Sequence, residues 1–390
     1  MLIGAILTSL IGAFGTPEAS QIISYTPSQP VIVEYRGQLQ RQLRGDWETP
    51  DIVAVVYSAA WPESLNSLLK HLQENHTQVL LIVPKYTSAH EVNAWLEAVD
   101  FPAETFELAT LDVDTAWIRD YGPLQTVDAS GSIIWLDADY STRPDDDVVP
   151  GKLAQRFGVS LEVIPEGLDG GALISNGRGL CVSTVEAFAQ MSIPVDDPDT
   201  IDAIIHPLLE QLGCQILTLV PALMNDPTKH ADMFAQFLGP NTLAIASFDA
   251  ASAPEDSARM DQATRWIAQA AHTYGLSLNI VRIPHPAPSG RYYTYLNGLA
   301  VDDDFLVPQY YGVDIEAEAM AYRALAMAMP SKNIVPIPSD EIIALNGAIH
   351  CITLGLHLSQ TTIAALGPSK LIDGLSTKHL QRPKPRAQIR

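Results

Sequence analysis

Cysteines are scarce in this sequence. Three occur in 390 residues, at positions 181, 214 and 351, and none of them forms a CxxC pair. Because the number is odd, at least one thiol is expected to be free, and neither a disulfide framework nor a zinc ribbon is expected. We interpret Cys181 and Cys214 as buried apolar residues, since one lies in an alternating hairpin and the other directly precedes an apolar strand.

Basic residues are also scarce. Lys and Arg number 23 against 45 Asp and Glu, which gives a net charge of −22 at pH 7. A surface of this sign repels nucleic acid and anionic membranes and attracts cations. We therefore expect no nucleic-acid partner. A cationic small molecule or peptide fits the charge, although acidity alone also secures solubility.

Long hydrophobic runs are missing as well. The apolar run at residues 2–14 is shorter than the roughly 20 residues that a membrane-spanning helix needs, so no stable membrane insertion is expected. The run is typical of the apolar part of a signal peptide, but no Lys or Arg precedes it, and a buried strand or helix is the alternative. We interpret residues 1–20 as a signal peptide or N-terminal segment, which predicts an exported protein in the first case and a cytoplasmic one in the second.

The sequence does contain a repeated pattern. Five units each combine two short strands, an amphipathic helix and one further strand, which is the alternation of a mixed α/β fold. The units are residues 51–85 with 347–356, 116–165, 172–220, 232–284 and 295–338. The two ends of the chain share one unit. This predicts a closed ring, an α/β propeller of five ββαβ blades with pseudo-fivefold symmetry, in which closure leaves no sheet edge unpaired.

Polar residues recur with the units. Asp120, Gly171, Asp232, Asn297 and Cys351 stand near the first strand of successive units, about 50 to 65 residues apart. Equivalent positions in a closed ring of repeats meet at one end of its axis. The spacing therefore predicts that these residues converge on one site.

The residue types at this site limit its chemistry. A guanidinium is planar and permanently cationic, so the carboxylates of Asp120 and Asp232 can bind it on two edges. Cys351 could attack its central carbon as a thiolate, while His230 could protonate the departing ammonia and then activate water. These residues predict a cysteine hydrolase that deiminates a guanidinium group and requires neither a metal nor another cofactor.

Each residue also has a structural alternative. Asp120 could pair with Arg119, Cys351 could be a small buried apolar residue, and His230 could lie in an exposed loop. Three other functions share part of the pattern: a cysteine peptidase, an amidinotransferase that needs an acceptor amine, and a non-catalytic propeller that binds basic ligands.

Five blocks of sequence resemble, in order, the signature blocks of the Porphyromonas-type peptidylarginine deiminase and agmatine deiminase family. The blocks are WIRDYGP (117–123), DGGALISNGRG (169–179), HADMFAQFLGPN (230–241), YLNG (295–298) and NGAIHC (346–351). That family belongs to the guanidino-group-modifying enzymes, so the resemblance implies a five-bladed α/β propeller. Residues 21–372 are accordingly interpreted as a single catalytic domain, and residues 373–390 as a basic C-terminal tail.

The resemblance implies the same roles for the two aspartates, the histidine and the cysteine as the chemistry above. It adds that Trp117 would pack along the aliphatic arm of the substrate and that Asn297 would lie near the nucleophile. Gly170 and Gly171 would match a glycine pair that lets backbone approach the substrate closely.

Two positions depart from the family pattern. Asn346 stands where a glycine is usual, and Ala172 stands where an asparagine is usual. Both departures lie beside site residues, so they predict a difference in how the site is oriented.

Substrate preference is inferred from one further segment. In peptidylarginine-type members, two arginines grip the carboxylate of a C-terminal arginine. Here Arg143 is retained, Asp145 replaces the second arginine, and Asp146 and Asp147 add negative charge. This favours an amine such as that of agmatine, whereas export would favour peptides. We predict peptidylarginine or free arginine as the substrate, giving citrulline and ammonia, with agmatine, giving N-carbamoylputrescine and ammonia, as the alternative.

Overall fold

The computed structural model describes residues 29–99 and 106–359. The predicted N-terminal segment (1–20) and basic tail (373–390) lie outside the described residues. The strands are β1 (Val31–Glu34), β2 (Arg41–Leu43), β3 (Ile52–Val56), β4 (Val79–Pro84), β5 (Phe106–Leu111), β6 (Leu124–Asp128), β7 (Ile133–Ala138), β8 (Ser160–Ile164), β9 (Ile174–Ser175), β10 (Leu180–Thr184), β11 (Ile216–Val220), β12 (Ala235–Gly239), β13 (Thr242–Ser247), β14 (Asn279–Pro284), β15 (Leu299–Val301), β16 (Asp304–Gln309), β17 (Asn333–Pro338) and β18 (Thr353–Leu356).

Helices lie between many of these strands. They are α1 (Pro62–Glu74), α2 (Ala89–Ala98), α3 (Ile118–Tyr121), α4 (Pro144–Asp147), α5 (Val149–Phe157), α6 (Val185–Gln190), α7 (Pro198–Thr200), α8 (His206–Leu212), α9 (Pro254–Thr273), α10 (Ile315–Ala328) and α11 (Asp340–Ile343). None of the described helices is long and apolar enough to cross a membrane.

The strands form five separate sheets. Their strand orders are β18-β3-β4-β5, β2-β6-β7-β8, β1-β11-β10-β9, β12-β13-β14 and β15-β16-β17. Each sheet contains an antiparallel pair followed by a parallel pair, as β6 with β7 and β7 with β8. Helices connect the parallel strands, as α1 joins β3 to β4 and α9 joins β13 to β14. The five predicted units correspond to these sheets, and the fold is mixed α/β.

The closed ring is not confirmed. Within the described residues no strand pairs from one sheet to the next, so each sheet keeps its own edge strands. The outer strands β8, β14 and β17 accordingly contain exposed residues, whereas every residue of β4 is buried because β5 pairs beyond it. The expectation that closure would pair every edge is not confirmed by the sheets of the described residues.

Helix α1 shows how a unit forms its core. Its apolar residues Leu65, Leu68, Leu69 and Leu72 recur at helical spacing, and all four are fully buried. They pack in one cluster with residues of β3 and β4, so the helix covers one face of its sheet. The helix starts at Pro62, where the missing N–H of proline leaves no hydrogen bond unmade.

Cys181 and Cys214 form a disulfide. Their interpretation as unlinked apolar residues was therefore wrong, although both are fully buried as predicted. Cys181 lies on β10 and Cys214 just precedes β11, and the parallel pairing of these two strands brings the thiols together. Such a contact between residues 33 apart depends on strand pairing, which local sequence does not reveal. Cys351 is the free cysteine.

The predicted site positions occupy equivalent places in the five sheets. Asp120 lies in α3, which directly precedes β6, and Gly171 and Asp232 lie in 3-10 turns that precede β9 and β12. Asn297 precedes β15, and Cys351 precedes β18. Each sheet therefore presents one of these residues ahead of its first antiparallel strand.

Candidate active site

The sulfur of Cys351 is held by residues from two other sheets. It lies 3.2 Å from Nδ2 of Asn297 and 3.8 Å from Oδ2 of Asp232. Burial, with the nearby carboxylates of Asp232 and Asp120, raises the pKa of the thiol well above its usual value. The resting thiol is therefore neutral, and a cation bound beside it would favour the thiolate.

His230 and Asp120 face the same point, His230 from the turn that also carries Asp232 and Asp120 from a further sheet. Nδ1 of His230 lies 3.6 Å from Oδ1 of Asp120. Gly171 lies between these groups, because a Cβ there would be 2.7 Å from Nδ1 of His230 and 3.0 Å from an oxygen of both Asp120 and Asp232. A Cβ on Gly170 would lie 2.1 Å from the carbonyl oxygen of Arg119. The glycine pair is thus required by close packing on both sides.

His230 carries positive charge in this site. Its Nε2 lies 3.2 Å from Oδ2 of Asp169. Burial disfavours the charged ring, but the carboxylates of Asp120, Asp169 and Asp232 outweigh burial and raise the pKa of His230 to about 10. The ring is therefore an imidazolium at neutral pH and can donate a proton.

Each of the two predicted guanidinium-binding aspartates has one buried oxygen that accepts no hydrogen bond. Oδ1 of Asp120 and Oδ1 of Asp232 are buried and accept no hydrogen bond. Burial raises the pKa of Asp120 to about 7, against the attraction of His230. Unpartnered buried acceptors are costly, and the N–H fork of a guanidinium can satisfy both.

Trp117 lies beside the nucleophile. A Cβ added at Gly347 would be 2.5 Å from the Trp117 ring and 3.2 Å from Cβ of Cys351, so the ring and the cysteine flank the same glycine. Trp117 is half-buried and contacts Trp61, with ring centroids 5.3 Å apart. The structure therefore places an apolar surface next to the thiol.

Arg143 lines an open cleft of about 560 Å³ that also reaches His230 and Asp169. Its side chain is exposed and folds over Tyr140, with the guanidinium carbon 5.8 Å from the ring centroid and Nη1 donating to the phenol oxygen at 3.3 Å. The cleft connects Arg143 with the catalytic candidates, so its predicted place near the substrate is compatible with the structure.

The three aspartates after this arginine have different surroundings. Asp146 is fully buried, and its Oδ1 accepts hydrogen bonds from the backbone N–H groups of residues 114–115. Asp147 accepts the backbone N–H of Tyr140 at 2.7 Å. Asp145 is exposed and is not among the residues that line the cleft. That Asp146 and Asp147 add negative charge beside Asp145 stays a prediction; both carboxylates bind backbone N–H groups, and neither lines the cleft.

Three further polar residues contact the site and were not assigned from the sequence. Asp169 binds His230, as described above. His350 lies 2.7 Å from Asp232, measured from Nδ1 to Oδ2, and Asp46 lies 3.4 Å from Nε2 of His350. Asp169 directly precedes the glycine pair and His350 directly precedes the cysteine, so their place inside the family blocks is a usable signal. Asp46 carries no such signal.

The two residues that depart from the family pattern, Asn346 and Ala172, lie in different surroundings. Asn346 has a φ of +66°, in the left-handed region that asparagine tolerates better than most residues, so it can adopt a backbone typical of glycine. Ala172 is buried in an apolar cluster, and its backbone N–H donates to the carbonyl of Asp169 at 3.0 Å.

Asp120, Asp169 and His230 form a cluster of potential metal ligands. Ligand atoms of Asp120, Asp169 and His230 lie within 4.8 Å of one another. Both nitrogens of the His230 ring face carboxylates, Nδ1 toward Asp120 and Nε2 toward Asp169, and these carboxylates outweigh burial and raise the pKa of the ring to about 10. The cluster suits an ion pair between the imidazolium and its carboxylates.

A thiol, an imidazolium and two carboxylates with open oxygens surround one point, beside an apolar ring and an acidic cleft. With the mixed α/β fold, this donor set indicates a cysteine hydrolase directed at a guanidinium group.

Comparison with known proteins agrees. The family model of the Porphyromonas-type peptidyl-arginine deiminases matches residues 46–356. An agmatine deiminase of Stutzerimonas stutzeri is 26% identical over 307 residues, which is 68% of this chain and 80% of that protein. One of Pseudomonas fluorescens is 24% identical over 346 residues, 75% of this chain and 90% of that protein.

Solved structures match the fold. The agmatine deiminase of C. jejuni superposes with a TM-score of 0.69 at 20% identity, covering 84% of this chain and 99% of that one. The chain belongs to the Porphyromonas-type peptidyl-arginine deiminase family, as its sequence blocks predicted. It is a hydrolase that acts on C–N bonds of linear amidines.

Proposed function

We propose that this protein deiminates agmatine or a closely related guanidine that carries an amine. The charge of the cleft carries this proposal. Among the described residues that line it, Asp139, Glu166 and Asp169 are carboxylates, whereas Arg143 is an arginine and His230 stands at the site itself. An amine is attracted by this lining and a carboxylate is disfavoured. The sequence alone favoured peptidylarginine or free arginine as the substrate. The names of the relatives support agmatine instead.

Binding comes first. The guanidinium lies between Asp120 and Asp232, and its N–H groups donate to the two oxygens that accept no other hydrogen bond. Trp117 packs along the methylene arm, and the amine lies in the acidic cleft. The bound cation offsets the negative field of the aspartates on Cys351, so the thiol loses its proton more readily.

The first chemical step breaks a C–N bond. The Cys351 thiolate attacks the central guanidinium carbon and forms a tetrahedral adduct. His230, which is protonated, donates its proton to the departing nitrogen, and ammonia leaves. The remaining species is a thiouronium group covalently bound to the sulfur.

The second step adds water. The now neutral His230 removes a proton from a water molecule, and the hydroxide attacks the same carbon. The carbon–sulfur bond breaks, and the substrate carbon becomes a ureido carbonyl as the hydroxyl proton of the adduct passes to the departing sulfur of Cys351, which restores the resting thiol. The proton that this thiol released to solvent before the attack is taken up by the ammonia, which becomes ammonium. The reaction consumes one guanidinium and one water and yields one urea derivative and one ammonium, without an oxidant or a metal.

The arrangement of the five sheets is part of the proposal. We infer that they surround a pseudo-fivefold axis as blades, with the site at one end of that axis. This is supported by the five residues from equivalent positions, because groups ahead of the first strand of every sheet contact one another. Residues 21–372 would then form one catalytic domain.

Arginine is the second candidate substrate. Arg143 lies in the cleft and could receive a carboxylate, as the sequence predicted. Its contact with Tyr140 already occupies part of its donor fork, and no second arginine lies beside it in the described lining.

Ammonia release decides the proposal. Purified protein is incubated with agmatine, arginine and peptides with internal or C-terminal arginine, and ammonia and the ureido product are both measured. We expect the wild type to show its highest kcat/KM with agmatine. Cys351→Ser should release no ammonia from any of these substrates, although its Tm should equal that of the wild type. A new peptide amino terminus would indicate a peptidase, and ammonia-free transfer to an added amine would indicate an amidinotransferase.

A further inference from the structure

Four charged side chains form a continuous chain behind the nucleophile. Oδ2 of Asp232 lies 2.7 Å from Nδ1 of His350, Nε2 of His350 lies 3.4 Å from Oδ1 of Asp46, and that oxygen accepts Nη1 of Arg119 at 2.9 Å. The signs alternate along the chain. The four residues precede or follow strands of three different sheets, so the chain ties these sheets together at the site.

We propose that His350 and Asp46 are positioning residues, which hold Asp232 so that one of its oxygens is fixed and the other is open to the guanidinium. The proposal rests on the proposed function, because it assigns the open oxygen to that substrate. Neither residue contacts the reacting atoms in this scheme.

The two oxygens of Asp232 support this division. Oδ2 is occupied by His350 and the Cys351 thiol, whereas Oδ1 has no hydrogen-bond partner. Asp232 is 1% exposed, so bulk water does not anchor it. The His350 ring is therefore the strongest restraint on carboxylate rotation. A carboxylate that rotated would present the guanidinium with a misplaced acceptor.

Asp46 in turn holds the ring. His350 is 2% exposed, and the charged groups that face it are Asp232, Asp46 and Arg119, each from another segment. Burial and Arg119 disfavour a protonated ring, but Asp46 and Asp232 outweigh them, so the pKa of His350 is raised. A protonated ring donates through Nδ1 to Asp232 and forms an ion pair through Nε2 with Asp46, without a hydrogen bond, and the two contacts together fix its orientation.

Two substitutions of His350 separate its two contacts. An asparagine amide nitrogen can occupy the place of Nδ1, so His350→Asn keeps a donor toward Asp232. A glutamine amide nitrogen reaches the place of Nε2 instead, so His350→Gln loses the donor toward Asp232. Asp46→Asn removes the negative charge that faces Nε2 of His350 and keeps the size and shape of the side chain.

A second histidine–carboxylate pair supplies the control. Nε2 of His71 in α1 lies 2.8 Å from Oδ2 of Asp304 in β16, and neither residue belongs to the site. This pair is more exposed than that of His350 and Asp232, and because its contact runs through Nε2, His71→Gln keeps the donor and His71→Asn loses it. They measure what a lost histidine–aspartate contact costs in stability alone.

Steady-state kinetics with agmatine, pH profiles and Tm are measured for all variants. We expect kcat of His350→Gln and Asp46→Asn to fall by about tenfold to a hundredfold, the scale of a misplaced reacting group, with a smaller fall for His350→Asn. In Asp46→Asn the ring loses one of its two carboxylates, so the basic limb of kcat/KM should move to lower pH. The His71 variants should keep wild-type kinetics.

Some outcomes would overturn the inference. Wild-type kcat and pH profile in His350→Gln would show that the ring positions nothing. If kcat fell equally in His350→Asn and His350→Gln, and in proportion to a lowered Tm, the role of His350 would be purely structural. If the wild type released no ammonia from any guanidine, the proposed function itself would fall and this inference with it, whereas an active wild type with unaffected His350 variants would overturn the inference alone.

Discussion

Asn297 binds Cys351 at two points. Its Oδ1 accepts a hydrogen bond from the cysteine backbone N–H at 3.2 Å, and its Nδ2 donates toward the sulfur at 3.2 Å. Asn297 is fully buried, and the same Oδ1 also accepts the N–H of Ala348 at 3.1 Å. One side chain therefore fixes the turn that carries the nucleophile and also supplies a donor that favours the thiolate.

Asn297→Asp should keep the acceptor and lose the donor, while adding negative charge beside the sulfur. We expect the thiol pKa to rise further and the rate of alkylation by a haloacetamidine to fall by about tenfold or more. The matched control is Asn176→Asp, because buried Asn176 likewise accepts two backbone N–H groups through Oδ1 and donates through Nδ2 to a backbone carbonyl. Peptide mapping should place the adduct on Cys351. Equal alkylation rates for wild type and Asn297→Asp would exclude this role.

Gly171→Ala should abolish turnover without unfolding the protein. The new Cβ would meet His230 and the two aspartates at 2.7–3.0 Å, and all of them would have to shift. Such overpacking costs about 1–3 kcal/mol in stability, but a shift of these groups removes the geometry of the site. Gly239→Ala is the control, because its Cβ would meet no atom within 4 Å. Similar kcat values for the two variants would contradict the packing argument.

Much of the fold could be predicted from local sequence. The strands and helices of all five units follow from hydrophobic periodicity, as the leucine spacing of α1 illustrates. The strands β1, β2 and β5 were missed: β1 and β2 each add to the edge of a sheet built by later segments, and β5 adds a further edge strand beside β4, outside the repeated pattern of the unit. Long-range pairing of short strands leaves little trace in local pattern.

The site was predictable to the extent that its residues recur with the units. Asp120, Asp232 and Cys351 stand at equivalent positions of the repeated units, so the repeat alone predicts that they converge on one site. Asp46 could not be found in this way. It follows β2, a strand added from outside the units, and its role depends on contacts with His350 that only the folded chain creates.

Asp120 should make the substrate-free protein less stable as the pH rises. Burial raises the pKa of Asp120 to about 7 from 3.8, so the folded protein keeps a proton that the unfolded chain has released. The unfolding free energy therefore falls between about pH 4 and pH 7. His230 adds to the same trend, because the stability from its raised pKa is present below pH 6.5 and is lost as the pH rises toward about 10.

Asp120→Asn removes the ionisable group. Its free energy of unfolding should exceed that of the wild type by as much as roughly 4 kcal/mol at pH 8 and by little at pH 4. The variant should also lose activity. Urea unfolding at both pH values measures this difference. Asp137→Asn is the control, because burial and Asp147 raise the pKa of Asp137 to about 6 at a position outside the site. It should show a smaller stabilisation with unchanged turnover. Parallel pH dependence in wild type and Asp120→Asn would rule the explanation out.

The cleft residues should set the ratio of agmatine to arginine turnover. Asp139→Asn removes a carboxylate from the lining, so kcat/KM for agmatine should fall by about three- to tenfold, with no fall for arginine. Arg143→Ala should weaken arginine or a peptide ending in arginine, and it should leave agmatine unchanged or improved, since agmatine has no carboxylate to lose.

Asp145 separates this explanation from the one that the sequence suggested. Its exposed side chain does not line the cleft, while its backbone N–H is bound by Asp114 at 3.0 Å. Asp145→Asn therefore makes the same chemical change as Asp139→Asn a few residues away, and it should leave the ratio of the two activities at the wild-type value. Asp145→Arg, which restores the second arginine of the peptidylarginine-type pattern, should also have little effect, because the new side chain starts outside the cleft. If Asp145→Arg instead reverses the preference toward arginine while Asp139→Asn changes nothing, then the segment after Arg143 faces the substrate, and the acidic lining of the cleft does not select the amine.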